Sequence, residues 1–137
     1  MFILISSISL LLGSCLNRAT ATLEQSTDLS GIKSLHVIKF APDSHGVNLL
    51  ITDKLRTMGF LATTGDNTLS DVDAVVTYED KWRWDFSMYM LELTITIRDP
   101  ETQFPLASGN SYHTSISRKS PEEMVGEVIG NIFKKGI

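Results

Sequence analysis

The side chains that could do chemistry in this chain are few, and they are scattered along it. Its single cysteine, Cys15, follows two small residues, Gly13 and Ser14, at the end of an apolar run. One cysteine cannot form an intramolecular disulfide, so a thiol at this position needs another use. The three histidines are His36, His45 and His113. No two of them have the spacing of a zinc site, and the sequence predicts neither a metal nor a cofactor.

Carboxylates offer the next possible chemistry, because two of them together can act as acid and base. Glu79, Asp80 and Glu92 come close to one another in the hairpin described below. Lys81 and Arg83 lie beside them, which favours a solvated strand face of paired charges. We find no glycine-rich phosphate loop after a predicted strand. We therefore expect a non-enzymatic protein.

Charge and composition narrow the class of partner. The chain has 137 residues, a net charge of −4 and a pI near 5.3. Its basic residues cluster only at 118–119 and 134–135, whereas nucleic-acid binders normally carry a basic face. Hydrophobic residues make up 42% of the chain and charged residues 20%, which is the balance of a globular domain. We expect one domain and no nucleic-acid partner.

The apolar run before the cysteine spans Phe2 to Leu12. It is too short to cross a bilayer as a helix, which takes roughly 20 residues, and its length is typical of a signal peptide. Residues 12–15 (LGSC) resemble the bacterial lipobox. That resemblance implies that residues 1–14 are removed and that Cys15 carries diacylglycerol and a further acyl chain such as palmitate. The alternative is a buried N-terminal strand or helix that contains a cysteine by chance.

Leu16, rather than an aspartate, follows the cysteine. By the same resemblance, this implies an outer-membrane lipoprotein, anchored through lipid on Cys15 and facing the periplasm. Residues 15–30 are rich in Thr, Ser and Ala and have no periodicity, which predicts a flexible tether. The single folded domain is then expected over residues 31–137.

Hydrophobic periodicity places the elements of that domain. Strands are predicted over 35–40, 60–64, 73–84, 88–99 and 106–114, and helices over 47–58 and 121–135. Asp43 or Ser44 can cap the first helix, and Gly59 can end it. Ser120 with Glu123 forms a capping box for the second. The order β-α-β-β-β-β-α predicts an α+β, two-layer sandwich in which two helices cover one face of a largely antiparallel, four- to five-stranded sheet.

The two long strands predict a hairpin whose register follows from its apolar face. Lys81 is expected opposite Glu92 and Thr77 opposite Thr96, with a loop of about four residues over 85–88. This register leaves Asp80 at a core position, for which a bulge is one explanation. The Ser, Gly and Asn content of the last strand favours a sheet edge or a bulge near Gly109.

Aromatic residues gather at the turn of this hairpin. They are Trp82, Trp84, Phe86 and Tyr89. The strands run about 33 Å at 3.3 Å per residue, whereas a fifteen-residue helix covers only about 22 Å. The helices can therefore leave these rings uncovered as a recognition surface. The alternative is that the rings only cap the core.

Taken whole, the chain resembles the small lipoproteins of Gram-negative envelopes, and its general plan is similar to the lipopolysaccharide-assembly lipoprotein. The helix exit at 55–60, the strand at 74–85 and the turn at 99–102 carry this resemblance. It implies a lipid-anchored periplasmic domain that binds or scaffolds another envelope component. The alternative function is binding of a small molecule or lipid in a cleft near Trp82 and Trp84.

Overall fold

A six-stranded mixed sheet organises the fold. The computed structural model describes residues 18–23 and 28–136, so the predicted signal peptide and Cys15 lie outside the described residues. The strands are β1 (Arg18–Leu23), β2 (Ser34–Ile38), β3 (Leu61–Gly65), β4 (Ala74–Asp85), β5 (Ser87–Arg98) and β6 (Pro105–Tyr112). The helices are α1 (Val47–Thr57) and α2 (Pro121–Gly136), and a short 3-10 turn spans Ser115–Ser117. The α+β class is confirmed.

The strand order in the sheet is β1-β6-β5-β4-β2-β3. Strands β4, β5, β6 and β1 pair antiparallel, whereas β2 runs parallel to both β3 and β4. The prediction of a largely antiparallel sheet of four to five strands is thus only partly right. The β2–β3 pair is parallel because α1 carries the chain back along the sheet between them, and residues 66–73 carry it back again before β4.

Strand β1 and the buried Leu29 correct the prediction of a flexible tether over residues 15–30 for the part of that segment that the structure describes. Arg18–Leu23 pairs antiparallel with the whole of β6, and Leu29 is buried in the core at 1% exposure. The strand alternates Ala19, Ala21 and Leu23 with Arg18, Thr20 and Thr22, and Ala21 is buried. This alternation is short and its apolar residues are mostly small, so it gives only a weak strand signal. The presence of β1 also makes β6 an interior strand, so the predicted edge position near Gly109 is wrong. The one register shift between β5 and β6 lies at Ile97/Arg98 instead.

Both helices pack on the same face of the sheet. The core combines alternate residues of the strands with one side of each helix, including Ile51 and Leu55 of α1 and Val128 and Phe133 of α2. The helix ends follow the predicted chemistry. Gly59 leaves α1 at φ 96°, and the Ser120 hydroxyl accepts a hydrogen bond from the Glu123 backbone N–H at 3.2 Å. Among the described residues, no helix is long and apolar enough to cross a membrane.

The β4–β5 hairpin has the predicted register along most of its length. Lys81 lies opposite Glu92 with their side-chain charges 3.3 Å apart, and Thr77 lies opposite Thr96. A bulge follows between Lys81 and Trp82. The bulge leaves Leu91 as an extra residue on β5. Beyond it, Met90 and Met88 rather than the odd-numbered residues of β5 lie opposite Trp82 and Trp84. The predicted four-residue loop is wrong, because Asp85 pairs with Ser87 and a single residue turns the chain.

Candidate functional site

The tip of the β4–β5 hairpin carries three large, exposed apolar side chains. Trp84 is 72% exposed, Phe86 97% and Met88 48%. Trp84 and Met88 lie opposite each other, so their side chains share one face of the hairpin, and Phe86 is the turn residue between the strands. Large apolar side chains grouped in this way are typical of a contact surface.

Phe86 has a backbone conformation that bulky residues avoid. Its φ is 61°, in the left-handed region where glycine or asparagine is usual in a tight turn. The ring is 97% exposed, so packing inside the domain does not offset this backbone strain. A strained residue with no structural gain points to selection for contact with something outside the fold.

The other two predicted surface residues are packed. The Trp82 ring stacks on the His45 ring, with centroids 3.8 Å apart and planes 15° from parallel. Tyr89 lies under Arg118, whose guanidinium carbon is 4.5 Å from the ring centre. Arg118 also donates hydrogen bonds to the Ser87 hydroxyl and the Asp85 carbonyl oxygen, both at 2.8 Å. Trp82 and Tyr89 therefore support the hairpin, whereas Trp84 and Phe86 are presented by it.

The stacked Trp82 also accounts for Asp80, whose core-side position the sequence left unexplained. The indole Nε1–H of Trp82 donates to the Asp80 carboxylate at 2.6 Å. The bulge lies one residue later than Asp80, between Lys81 and Trp82. Asp80 thus orients the tryptophan on the helix-facing side of β4. Its other carboxylate oxygen is buried without a hydrogen-bond partner.

Asp43 organises the chain beneath this corner of the sheet. Its carboxylate accepts backbone N–H bonds from His45 and Val47, both at 2.8 Å, and thereby caps α1. It also accepts the Tyr78 hydroxyl at 2.6 Å. Burial acts to raise the pKa of Asp43, but these hydrogen bonds outweigh it and hold the pKa below its ordinary value. Burial and the contact with Asp43 raise the pKa of Tyr78 well above its usual range.

Asp43, His45 and Asp80 form a group that sequence spacing did not reveal. One ligand-type atom from each lies within 4.8 Å of the others, which is close enough to hold a divalent cation. The sequence does not indicate this group because Asp43 and His45 lie in the loop before α1, whereas Asp80 lies in β4, far along the chain. The Asp43 carboxylate is already engaged as the cap of α1, and His45 is engaged by Trp82. Structural roles thus account for these side chains.

A second polar group lies between β6 and α2. The Glu127 carboxylate accepts hydrogen bonds from the Ser111 hydroxyl at 3.2 Å and from Lys119 at 3.0 Å. His113 lies 3.3 Å from the same carboxylate. Burial acts to raise the pKa of Glu127, but Lys119 and His113 outweigh it and lower the pKa. Ser111 and His113 both contact the Glu127 carboxylate. The group therefore connects the end of β6 to α2 and is not arranged as a catalytic serine–histidine pair.

The sheet face opposite the helices is polar, as the alternation predicts. A shallow cavity of about 470 Å³ opens there. Its lining is Phe40, Thr77, Tyr78, Glu79, Thr94, Thr96 and Arg98. Hydrogen bonds between neighbouring side chains, such as Arg98 to Thr77 at 2.9 Å, cross this face. It is a surface for water or for polar partners.

The two tryptophans should respond differently to truncation. Trp82→Ala should lower the free energy of unfolding by about 1–3 kcal/mol, because it removes a stacked ring and leaves Asp80 without its donor. Trp84→Ala should change it by less than about 0.5 kcal/mol, since the ring is largely exposed. Thermal melts of the two variants measure this. Equal losses of stability would show that Trp84 belongs to the packed structure.

Comparison with known proteins identifies the fold. No protein-family model and no curated protein matches the chain. The PelC dodecamer from Paraburkholderia phytofirmans is similar in structure, with a TM-score of 0.63 and 16% identity over 85% of this chain and 98% of that one. A point variant of that PelC gives a TM-score of 0.62, with 16% identity over 85% of this chain and 96% of that one. At this identity the likeness concerns the fold alone.

Proposed function

We propose that this protein is a lipid-anchored, non-enzymatic domain of the cell envelope that binds or scaffolds another envelope component. In this proposal the resemblance of residues 12–15 to a lipobox supports a lipid on Cys15, and Leu16 after the cysteine supports an outer-membrane location facing the periplasm. The contact surface is the hairpin tip, defined here as Trp84, Phe86 and Met88. The domain holds this surface out from its core.

The observation that carries the proposal is the exposure of this tip. Three large apolar side chains project from the end of a hairpin, and the most exposed of them has a strained backbone. Trp and Met are suited to recognition, Trp by its large amphipathic ring and Met by its adaptable side chain. A domain that needed these rings only for its own stability would pack them, as it packs Trp82.

The packing of Trp82 weighs against the alternative of a ligand cleft between the tryptophans. His45 covers one face of the Trp82 ring, and Asp80 engages its indole nitrogen. Trp84 is 72% exposed at the end of the hairpin. These contacts favour an exposed contact surface at the hairpin tip over a ligand-binding cleft between the tryptophans.

The PelC structures of similar fold are described as dodecamers. A second copy of this chain is accordingly one component to test as a partner. Size measurement of the purified protein over a range of concentrations separates this case from a different envelope component.

The anchor is tested by replacing Cys15. Cells fed an alkyne-tagged palmitate should label the wild-type protein and leave Cys15→Ser unlabelled, because the serine hydroxyl does not replace the thiol in lipid attachment. Ser14→Ala is the matched control; it keeps a small residue before the cysteine and should label normally. Equal labelling of wild type and Cys15→Ser, or none of either, would contradict the lipid anchor.

A further inference from the structure

We propose that the component contacted by the hairpin tip is the lipid bilayer itself, in the leaflet that holds the Cys15 lipid. This inference rests on the proposed function, since it names the partner of the same surface. It is carried by the placement of three features at one end of the sheet: the start of β1, the turn of the β4–β5 hairpin and two arginines beside it.

The pairing of β1 shows which end of the sheet faces the anchor. Arg18 pairs with Tyr112, Tyr112 pairs with Glu92, and Glu92 pairs with Lys81. From this common level, β4 continues toward Phe86, and β1 begins on the same side because it runs parallel to β5, which starts at the turn. The start of β1 and the hairpin tip therefore lie at the same end of the sheet.

The reach of the chain limits how far Cys15 and the hairpin tip can be separated. Cys15 is three residues before Arg18, and three residues span at most about 11 Å. Phe86 is five residues beyond Lys81 along β4, or about 17 Å at 3.3–3.4 Å per residue. Strands β1 and β5 are two strand spacings apart, or about 10 Å. Because neighbouring strands are rotated by roughly 20–25°, the tip and Cys15 can lie at a similar height beyond the level of Lys81 and can meet one membrane surface.

An apolar tip at the height of the lipid can enter the membrane interface. Apolar faces of peripheral membrane elements enter the headgroup and acyl boundary by about 5–10 Å. If the acylated cysteine lies at the membrane surface, Phe86 and Trp84 reach into that boundary. A second membrane contact beside a lipid anchor also holds the domain in one orientation, which a single point of attachment does not do alone.

The chemistry of the tip fits the membrane interface. Tryptophan is enriched at this depth because its ring is apolar while its N–H is polar. Arg83 is exposed on the face of the hairpin opposite Trp84. Arg118 donates hydrogen bonds to Asp85 and Ser87, on either side of the turn. Cationic side chains beside an apolar tip attract anionic lipid headgroups by about 1 kcal/mol each. A bilayer therefore matches both the apolar and the charged parts of this surface.

The two tryptophans of the chain make the test direct, because each can be left as the only one. Trp82→Phe leaves Trp84 as the reporter, and Trp84→Phe leaves Trp82. The protein isolated from envelopes is combined with vesicles of phosphatidylethanolamine and phosphatidylglycerol whose acyl chains carry bromine near the glycerol. Trp84 emission should shift to shorter wavelength and lose most of its intensity. Trp82, stacked and farther from the turn, should be quenched much less.

Phe86→Asn in the Trp84-only protein supplies the matched variant. Asparagine tolerates positive φ, so the fold should be kept or stabilised while the quenching of Trp84 falls sharply. Leu61→Asn is the control; it removes a 74% exposed leucine from β3 and should leave the quenching unchanged. A melting curve of each variant confirms folding.

The outcomes separate this inference from the proposed function. Trp84 that is unquenched in a protein shown by its mass to carry lipid overturns the inference and leaves the anchor intact. Quenched Trp84 in a protein without lipid supports the inference and overturns the anchor. A blue shift of Trp84 that appears without vesicles and grows with protein concentration would assign the tip to contact between copies and overturn the inference.

Discussion

Gly109→Ala should lower the free energy of unfolding by about 1–3 kcal/mol, the range for overpacking a well-filled core. A methyl group at this position would lie 2.8 Å from Val128 Cγ1 and 2.9 Å from Ile132 Cγ1. Both neighbours are β-branched residues of α2 with few alternative rotamers in a helix, so they cannot turn away. The helix must shift from the sheet instead. Chemical denaturation of the variant measures the loss.

Gly130→Ala is the matched control in α2 itself. A methyl group there meets no atom within 4 Å, and alanine favours a helix over glycine by about 1 kcal/mol. This variant should be as stable as the wild type or more so. If Gly109→Ala were equally harmless, α2 would not pack against β6 as closely as described.

Asp43→Ala should cost about 2–4 kcal/mol of unfolding free energy, because one carboxylate serves two purposes. It caps α1 through the backbone N–H groups of His45 and Val47, and it accepts the buried Tyr78 hydroxyl. Tyr78→Phe removes only the second contact and should cost less. Denaturation of the two single variants and the double variant gives their coupling, and strictly additive losses would contradict the shared hydrogen bond.

The same carboxylate makes stability depend on pH. Its pKa in the folded protein lies below the ordinary value of about 4. Its contribution is therefore complete above about pH 4 and is lost as the pH falls through the folded pKa. Asp43→Asn should flatten the loss of stability in this acidic range and leave the profile at neutral pH parallel to that of the wild type. An unchanged acid limb in this variant would contradict the assignment.

Periodicity in the sequence predicts the elements whose apolar faces are regular. The stripe Ile51–Leu55 indicates α1, and alternation along 74–84 and 88–98 indicates the hairpin and its register. The capping box at Ser120 marks the start of α2. These succeed because one buried face imposes a strict period on the side chains.

The remaining features depend on contacts that leave a weak local period or none. Strand β1 (RATATL) alternates apolar with polar residues over only six positions, and the apolar ones are mostly alanine, so its signal in the sequence is weak. The small residues of β6 suggested a weak edge, yet Gly109 is small because α2 packs directly over it. Asp43 was recognised only as a cap, since its bond to Tyr78 joins residues far apart in the chain.

The contact role of the hairpin tip is tested most directly by crosslinking in intact cells. A photoreactive phenylalanine analogue at Phe86 should form crosslinks to lipid or to another envelope component. The same analogue at Leu61, which is 74% exposed on β3, should form few. We predict products specific to Phe86 that disappear when Cys15→Ser releases the domain from its anchor. Identical products from both positions, or from neither, would contradict the proposal that the tip is the contact surface of an anchored envelope protein.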